Sequence, residues 1–302
     1  MQRPAKPFTP VRFRLQPPYI MKIAIIGIGF VGKSLLNGFK DSVELIKIDP
    51  ALGTSIKDLK QFKPDSIFIC VPTPMNNDLS QDISIIKSVI ADINKLNLNA
   101  LIVLKSTVLP NYVIEIERSV SRFVYNPEFL REKHANEDFI NSKLIVFGGN
   151  KTHTSELANI YKIHTKCKCK DYVHTDAVAA SFIKYTINSF LAMKVSFFNE
   201  LKDLFDKSDT HESWLNFIDS LSKDTRIGHS HMQVPGPDGR YGFGGACLPK
   251  DSNAFLKYSI EQKNKLNILN EVININNIVR SQYNNRTDRE LEQNINFNGD
   301  KD

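Results

Sequence analysis

The stretch YGFGGACLPKD, residues 241–251, sets a lone cysteine, Cys247, behind three glycines and ahead of Pro249, Lys250 and Asp251. A structural cysteine sits more naturally inside an apolar run, so a thiol closing a flexible loop beside a charge pair is placed to meet a substrate. A dehydrogenase that makes one oxidation needs a base and a hydride acceptor and no thiol. A thiol becomes useful when an aldehyde has to be held covalently and oxidised again. Cations at Lys250 and Lys184 are expected to lower the thiol pKa and favour thiolate.

Three further groupings carry chemistry. GIGFVG places Gly27, Gly29 and Gly32 in G-x-G-x-x-G spacing, with Asp49 following 22 residues after Gly27. The first glycine permits a tight turn, the second lets a pyrophosphate approach the backbone, and the third lets a helix pack on a strand. The amides opening that helix then hold phosphate. Asp49 accepts both ribose hydroxyls and repels a 2′-phosphate, so the cofactor expected is NAD rather than NADP. Lys184 and Asn188 lie four apart on a long helical stretch and project from one face. Lys184 either stabilises an oxyanion from a partly buried position or snorkels at the helix margin. Thr107, Glu128 and Glu132 follow two strands and meet around one crevice if the sheet is parallel; otherwise the two acids are solvated turn residues.

These residues need a scaffold, and the periodicity provides one. KIAIIGIG, VELIKID, SIFICVP and ALIVLKST are short continuous apolar runs, the pattern of strands buried on both faces. Helical stretches such as ISIIKSVIADINKL separate them, which predicts an α/β fold with a Rossmann-type doubly wound parallel sheet and right-handed crossovers. SKLIVFGG, residues 142–149, is expected to be the last strand. A helix over Thr175–Lys207 follows, apolar all round and so expected to lie buried between domains or subunits. The division expected is an N-terminal extension (1–20), an NAD-binding domain (21–174), a helical central and dimerisation domain carrying the cysteine loop (175–285) and a polar, fraying tail (286–302).

Composition narrows the classes. With 302 residues, 41% hydrophobic and 24% charged, the chain has a globular balance and can bury a core. The net charge of +6 comes from scattered lysines, which argues against nucleic-acid binding and suits a polyanionic small substrate. Four cysteines in a chain of this length are expected to be reduced, as in a cytoplasm. No apolar run approaches a membrane span, and MQRPAKPFTPVRFRLQPPYI lacks the apolar centre of a secretion signal. His164, Cys167, Cys169 and His174 are enough ligands for zinc on paper, but the lysines among them disfavour a cation. They are expected on a surface strand with reduced thiols. His229 and His231 are expected to be polar loop groups, and no metal is expected. Cys70 is expected in the core.

In order and rough spacing, GIGFVG, CVPTP, STV, NPEFLRE, KYTINSFLAMKVSFFNE and GFGGACLPKD resemble the UDP-glucose/GDP-mannose dehydrogenase family over residues 21–285. The resemblance implies NAD-dependent, four-electron oxidation of a nucleotide sugar's C6 alcohol to a carboxylate, UDP-glucose being the expected substrate. It makes Cys247 the nucleophile that carries a thiohemiacetal and then a thioester. Lys184 and Asn188 stabilise charge on the C6 oxygen, and Asp251 supports a water or Lys184. Glu128 serves thioester hydrolysis and Thr107 positions the water. Gly27, Gly29, Phe30, Val31, Gly32, Asp49, Thr73, Thr107, Glu132 and Lys250 resemble cofactor contacts. Glu128, Phe129, Leu130, Lys184, Asn188, Tyr241, Gly242, Phe243 and Gly244 resemble substrate contacts. Arg226 resembles an arginine that reaches the substrate across a homodimer interface, and the loop glycines let the loop close over the sugar. The resemblance also implies a third, nucleotide-gripping domain, which this chain lacks or receives from a separate chain. Two alternatives stay open: a two-electron dehydrogenase of a smaller hydroxy compound, or a weakly active NAD-binding subunit that needs a partner.

Overall fold

Every second residue of the central strands feeds a different core. Ala24, Ile26, Ile67, Ile69, Ile102 and Leu104 enter one buried cluster, while Ile23, Ile25, Phe68, Leu101 and Val103 enter another. A sheet with both faces covered follows, which is why these strands read as unbroken apolar runs. The structure is a computed structural model that describes residues 20–297. Apart from Ile20, the expected N-terminal extension lies outside the described residues.

The strands are β1 (Met21–Ile26), β2 (Val43–Ile48), β3 (Ser66–Ile69), β4 (Leu101–Leu104), β5 (Phe123–Tyr125), β6 (Val146–Gly148) and β7 (Val173–Thr175). The helices are α1 (Phe30–Gly38), α2 (Leu59–Phe62), α3 (Ser84–Lys95), α4 (Pro110–Ser119), α5 (Ala135–Ile140), α6 (Lys151–His164), α7 (Ala177–Asp206), α8 (Trp214–Ser222), α9 (Leu248–Glu261), α10 (Asn267–Arg280) and α11 (Asp288–Glu292). The seven-stranded sheet runs β2-β1-β3-β4-β5-β6-β7. Leu35 of α1, Phe139 of α5 and Leu157 of α6 pack on one face, and Ile86 of α3, Val113 of α4 and Ala180 of α7 on the other. Connections leaving β1 and β3 therefore turn to opposite faces, and the switch point falls between the carboxyl ends of these two neighbours, where such sheets bind ligands.

Two features differ from the sequence expectation. The sheet is parallel from β2 through β5, but β6 pairs with β5 antiparallel. SKLIVFGG is also not the last strand, because β7 pairs parallel with β6. β6 joins the sheet at its edge through Tyr125 and Gly148, and Gly148 lets α7 lie close against it: a Cβ there would come 2.6 Å from the Ala180 Cβ.

α7 is 30 residues long, about 45 Å at 1.5 Å per residue. Asp176 caps its start by accepting from Ala179 N at 2.8 Å. Its buried side chains meet α9 and α10 through Tyr185, Ala254, Phe255, Leu269 and Ile273. Phe198 meets Trp214 of α8. Residues 286–297, expected to fray, are ordered. Thr287 and Glu290 form a reciprocal capping box on α11, and Glu290 is buried in an ion pair with Arg280.

Candidate active site

The fingerprint turn shows three different demands on its glycines. Gly27 has φ +87°, and a Cβ there would lie 2.8 Å from the Cys70 carbonyl oxygen. At Gly32 a Cβ would strike the Gly27 carbonyl. Gly29, by contrast, has nothing within 4 Å of its would-be Cβ, so the approach to the α1 amides stays open. A dinucleotide's pyrophosphate fits that open approach. Asp49 ends β2 with Oδ2 accepting from Ile28 N at 2.7 Å and Oδ1 from Ala51 N at 2.9 Å. It braces the fingerprint loop, and each oxygen keeps a lone pair for a ribose hydroxyl. Phe30 and Val31 begin α1, both half-buried.

The cysteine stands at the N-cap of α9, with Lys250 and Asp251 in the first turn. Lys184 and Asn188 lie on the buried face of α7. Asn188 Nδ2 donates to Asp251 Oδ2 at 2.6 Å, and Lys250 Nζ donates to Asp251 Oδ1 at 2.6 Å. Asp251 is thus a buried carboxylate with both oxygens engaged, and it orients the Asn188 amide. Lys184 Nζ donates to the Glu128 carbonyl and lies 5.2 Å from the centre of the Phe129 ring. Asp251 therefore meets Asn188 and Lys250 rather than Lys184, and Lys250, expected at the cofactor, is buried against Asp251.

Lys184, Lys250, Asp251 and Glu132 all act electrostatically on Cys247. The residue is exposed, yet the surrounding protein raises its thiol pKa, Asp251 adds to the rise, and Lys184 and Lys250 oppose it. The net direction corrects the expectation that the two lysines depress it: the desolvating surroundings and the adjacent carboxylate outweigh them.

Beneath Glu128 lies a buried cluster that the motifs did not show. Glu128 Oε2 faces Lys105 Nζ at 3.0 Å, and Oε1 accepts from Phe129 N at 2.6 Å. Lys105 Nζ also reaches Asn126 Oδ1 at 3.1 Å and Tyr161 OH at 3.5 Å. Burial works to discharge Lys105, but the Glu128 carboxylate prevails and holds its pKa above the ordinary lysine value. The cue for this cluster was a lysine closing the apolar run LIVLK. Beside it, Gln81 donates to the Thr107 carbonyl at 2.8 Å and to Tyr185 OH at 3.0 Å, while its Oε1 accepts from Leu109 N at 3.0 Å. Thr73 Oγ1 donates to the same Thr107 carbonyl at 3.1 Å. Thr107 is therefore held in place by its backbone.

Comparison with known proteins decides the family. Residues 51–166 match the NAD binding domain of the UDP-glucose/GDP-mannose dehydrogenase family, and residues 178–278 match that family's central domain. The chain belongs to the UDP-glucose/GDP-mannose dehydrogenase family. It is 36% identical over 222 residues to a UDP-glucose 6-dehydrogenase of Rickettsia conorii, covering 69% of this chain and 48% of that protein. It is 30% identical to a UDP-glucose 6-dehydrogenase of Bacillus subtilis, covering 84% of this chain and 62% of that one. Its fold is similar to a solved UDP-glucose dehydrogenase of Pyrobaculum islandicum, with a TM-score of 0.69, 25% identity and coverage of 87% of this chain and 70% of that one. The chain spans about half the length of the Rickettsia relatives it matches.

In this family member the other expected contacts divide. Glu132 pairs with Arg289 of α11 at 2.9 Å, and the Arg289 guanidinium lies 6.0 Å from the centre of the Phe30 ring. Leu130 and Phe129 pack against the sheet cores. The Arg226 side chain is 86% exposed and pairs with Asp224, so it meets none of the site in its own chain. The cysteine loop is anchored rather than free. A Cβ on Gly242 would lie 2.6 Å from Asn276 Oδ1, and one on Gly244 would strike Arg280. Phe243 is buried with N donating to Asn276 Oδ1 at 2.6 Å, and Tyr241 N donates to Tyr283 OH at 2.9 Å. Two of the loop glycines thus serve close packing, not closure over the sugar. Residues 166–172 form no strand, and Cys167 is buried in the core rather than on a surface strand. Among the described residues no group of histidine, cysteine or acid side chains could hold a metal. Cys70 packs against the core as expected, and burial pushes its thiol up to about 12.

Proposed function

We propose that this chain carries the catalytic half of a nucleotide-sugar 6-dehydrogenase, oxidising a C6 alcohol to the carboxylate with UDP-glucose as substrate. The observation that carries it is the gathering of Lys184, Lys250 and Asp251 around Cys247, with Asn188 bonded to Asp251, where α7 and α9 adjoin. The fingerprint turn at Gly27 and Gly29, with Asp49, would hold NAD, which would supply the hydride acceptor for two oxidations. Lys184 and Asn188 hold the C6 oxygen as negative charge develops on it. Cys247 loses its thiol proton and its sulfur bonds to the aldehyde carbon, retaining it as a thiohemiacetal. Oxidation of that adduct gives a thioester. Water then replaces sulfur at the carbon, and Glu128 takes a proton from the water. One alcohol, one water and two NAD give one carboxylate, two NADH and three protons.

The test is NADH yield over a panel of nucleotide sugars. Two NADH per carboxylate are expected, with Cys247→Ser failing at thioester formation or hydrolysis because an alkoxide leaves less readily than a thiolate. Lys184→Ala should slow turnover by about 10²–10³-fold, the cost of one lost oxyanion donor. A yield of one NADH, with Cys247→Ser fully active, would move the chain to two-electron chemistry. Cofactor binding without any turnover would make it a subunit that requires a partner.

A further inference from the structure

We infer that Lys105 is a positioning residue for the hydrolytic half of this reaction, fixing the Glu128 carboxylate from the carboxyl edge of the sheet. The inference rests on the thioester chemistry proposed above. Lys105 follows β4 directly and is 3% exposed. A lysine ammonium there is costly unless paired and hydrogen-bonded, so its retention calls for a task. Its surroundings define that task. Leu104 pairs with Tyr125 across the sheet, and Asn126 N donates to the Leu104 carbonyl at 2.8 Å. Lys105 and Asn126 therefore stand side by side at the carboxyl edge of the sheet. Tyr161 OH donates to Asn126 Oδ1 at 2.6 Å, and Asn126 Nδ2 donates to the Val146 carbonyl at 2.9 Å. This floor is buried and cross-linked by these hydrogen bonds, and Glu128 rests on it.

Glu128 is gripped at two points. Lys105 faces its carboxylate from the sheet, and Lys184 holds its carbonyl from α7. Oε1 is engaged by Phe129 N. Oε2 lies opposite Lys105 but takes part in no well-aligned hydrogen bond, so it retains acceptor capacity. In the hydrolytic step, a water O–H bond breaks toward Oε2 as the water oxygen bonds to the thioester carbon. The C–S bond then breaks and its electron pair leaves on Cys247 sulfur. The proton held on Glu128 returns to that sulfur, and the product acid releases one proton to solvent. Lys105 transfers nothing; it keeps Oε2 where the water must be.

Removing the charge should therefore separate the two halves of the reaction. With UDP-glucose and NAD mixed rapidly with Lys105→Met, the first turnover should still release two NADH per site. Steady turnover after that burst should fall by about 10²-fold, the effect of misplacing a catalytic group by about an ångström. Intact-protein mass should show the acyl adduct on Cys247 accumulating. Lys105→Arg, which keeps a cation, should restore most of the steady rate. If Lys105→Met does not fold, Lys105→Gln is read the same way. A wild-type burst of two NADH with burst and steady rates lowered equally in the variant, or neither lowered, would overturn the inference alone. No NADH from the wild-type protein would overturn it together with the reaction on which it rests.

Discussion

Cys247 gathers opposing influences on one sulfur. The protein around it and Asp251 push the thiol pKa up, while Lys184 and Lys250 pull it down, and the upward influences prevail. Less thiolate is present at neutral pH than in an ordinary cysteine, so alkylation of the resting protein by iodoacetamide should be slow near pH 7. The rate should climb about tenfold per pH unit and level off only above the ordinary thiol pKa of ~8.5. Inactivation rates measured from pH 6 to 10 check this, and a plateau already reached at pH 7.5 would contradict it. Asp49 braces Ile28; if it also meets the ribose, as proposed, Asp49→Ala should reduce the preference for NAD over NADP while loosening the fingerprint turn. The ratio of kcat/KM for the two cofactors measures it; a wild-type ratio near one would remove the premise. Residues such as Gly27 and Cys247 were legible because a fixed spacing or an unusual neighbourhood marks them. Lys105, Asn126 and Gln81 were not, since their partners lie across strands or on distant helices and nothing local in the sequence reports which elements adjoin.

Among the elements, α11 departs most from its sequence. Its residues DRELE are polar and gave no apolar face to detect. The contacts that order it are long-range. Glu290 Oε1 accepts from Arg280 Nη2 at 2.6 Å and from Gly245 N at 3.2 Å, tying α11 to the cysteine loop. The Gln293 carbonyl accepts from Met75 N at 3.4 Å, and Asn294 Nδ2 donates to the Met75 carbonyl at 3.2 Å, tying it to the sheet half. Burial works against the charge on Glu290, but the Thr287 and Gly245 amides and the Arg280 guanidinium hold its pKa below the ordinary glutamate value. A depressed carboxyl pKa stabilises the fold fully above the unfolded value of ~4.3 and is lost as pH falls through the folded one. Glu290→Gln should cost about 3 kcal/mol at pH 7, the scale of breaking a buried ion pair from one side. The gap from wild type in urea midpoint should narrow only as pH falls below ~4.3 and through the lowered folded-state pKa, where the wild-type carboxyl becomes protonated too. A gap constant with pH would show that packing rather than charge holds the strap. The central strands, by contrast, were legible from apolar runs alone. β6 was legible within SKLIVFGG, but its antiparallel pairing was not, because it meets β5 through one residue pair; β7, three residues long with Val173 exposed, was not marked.

At the scale of the whole molecule, α7 has more apolar surface than the described residues cover. Phe190, Phe197 and Leu204 recur at seven-residue spacing and are 57%, 58% and 67% exposed. Side chains seven apart lie nearly in line on a helix, the stripe that pairs helices. Arg226 extends from the segment after α8, and among the described residues its side chain pairs with Asp224 and not with a site residue. A homodimer packed on α7 would cover the stripe and give Arg226 a substrate to meet in its partner. The stripe runs along the C-terminal half of α7, and a stable interface requires about 800 Å² from each chain, so residues flanking the stripe would have to contribute. Phe190→Glu with Phe197→Glu should then yield a folded monomer in sedimentation velocity at micromolar concentration. Its turnover should fall with its dimer fraction, because each site loses an arginine. Arg226→Ala should leave the dimer intact and raise KM for the nucleotide sugar. A wild-type protein that sediments as a monomer while fully active would place the stripe against some other surface and leave Arg226 outside the reaction.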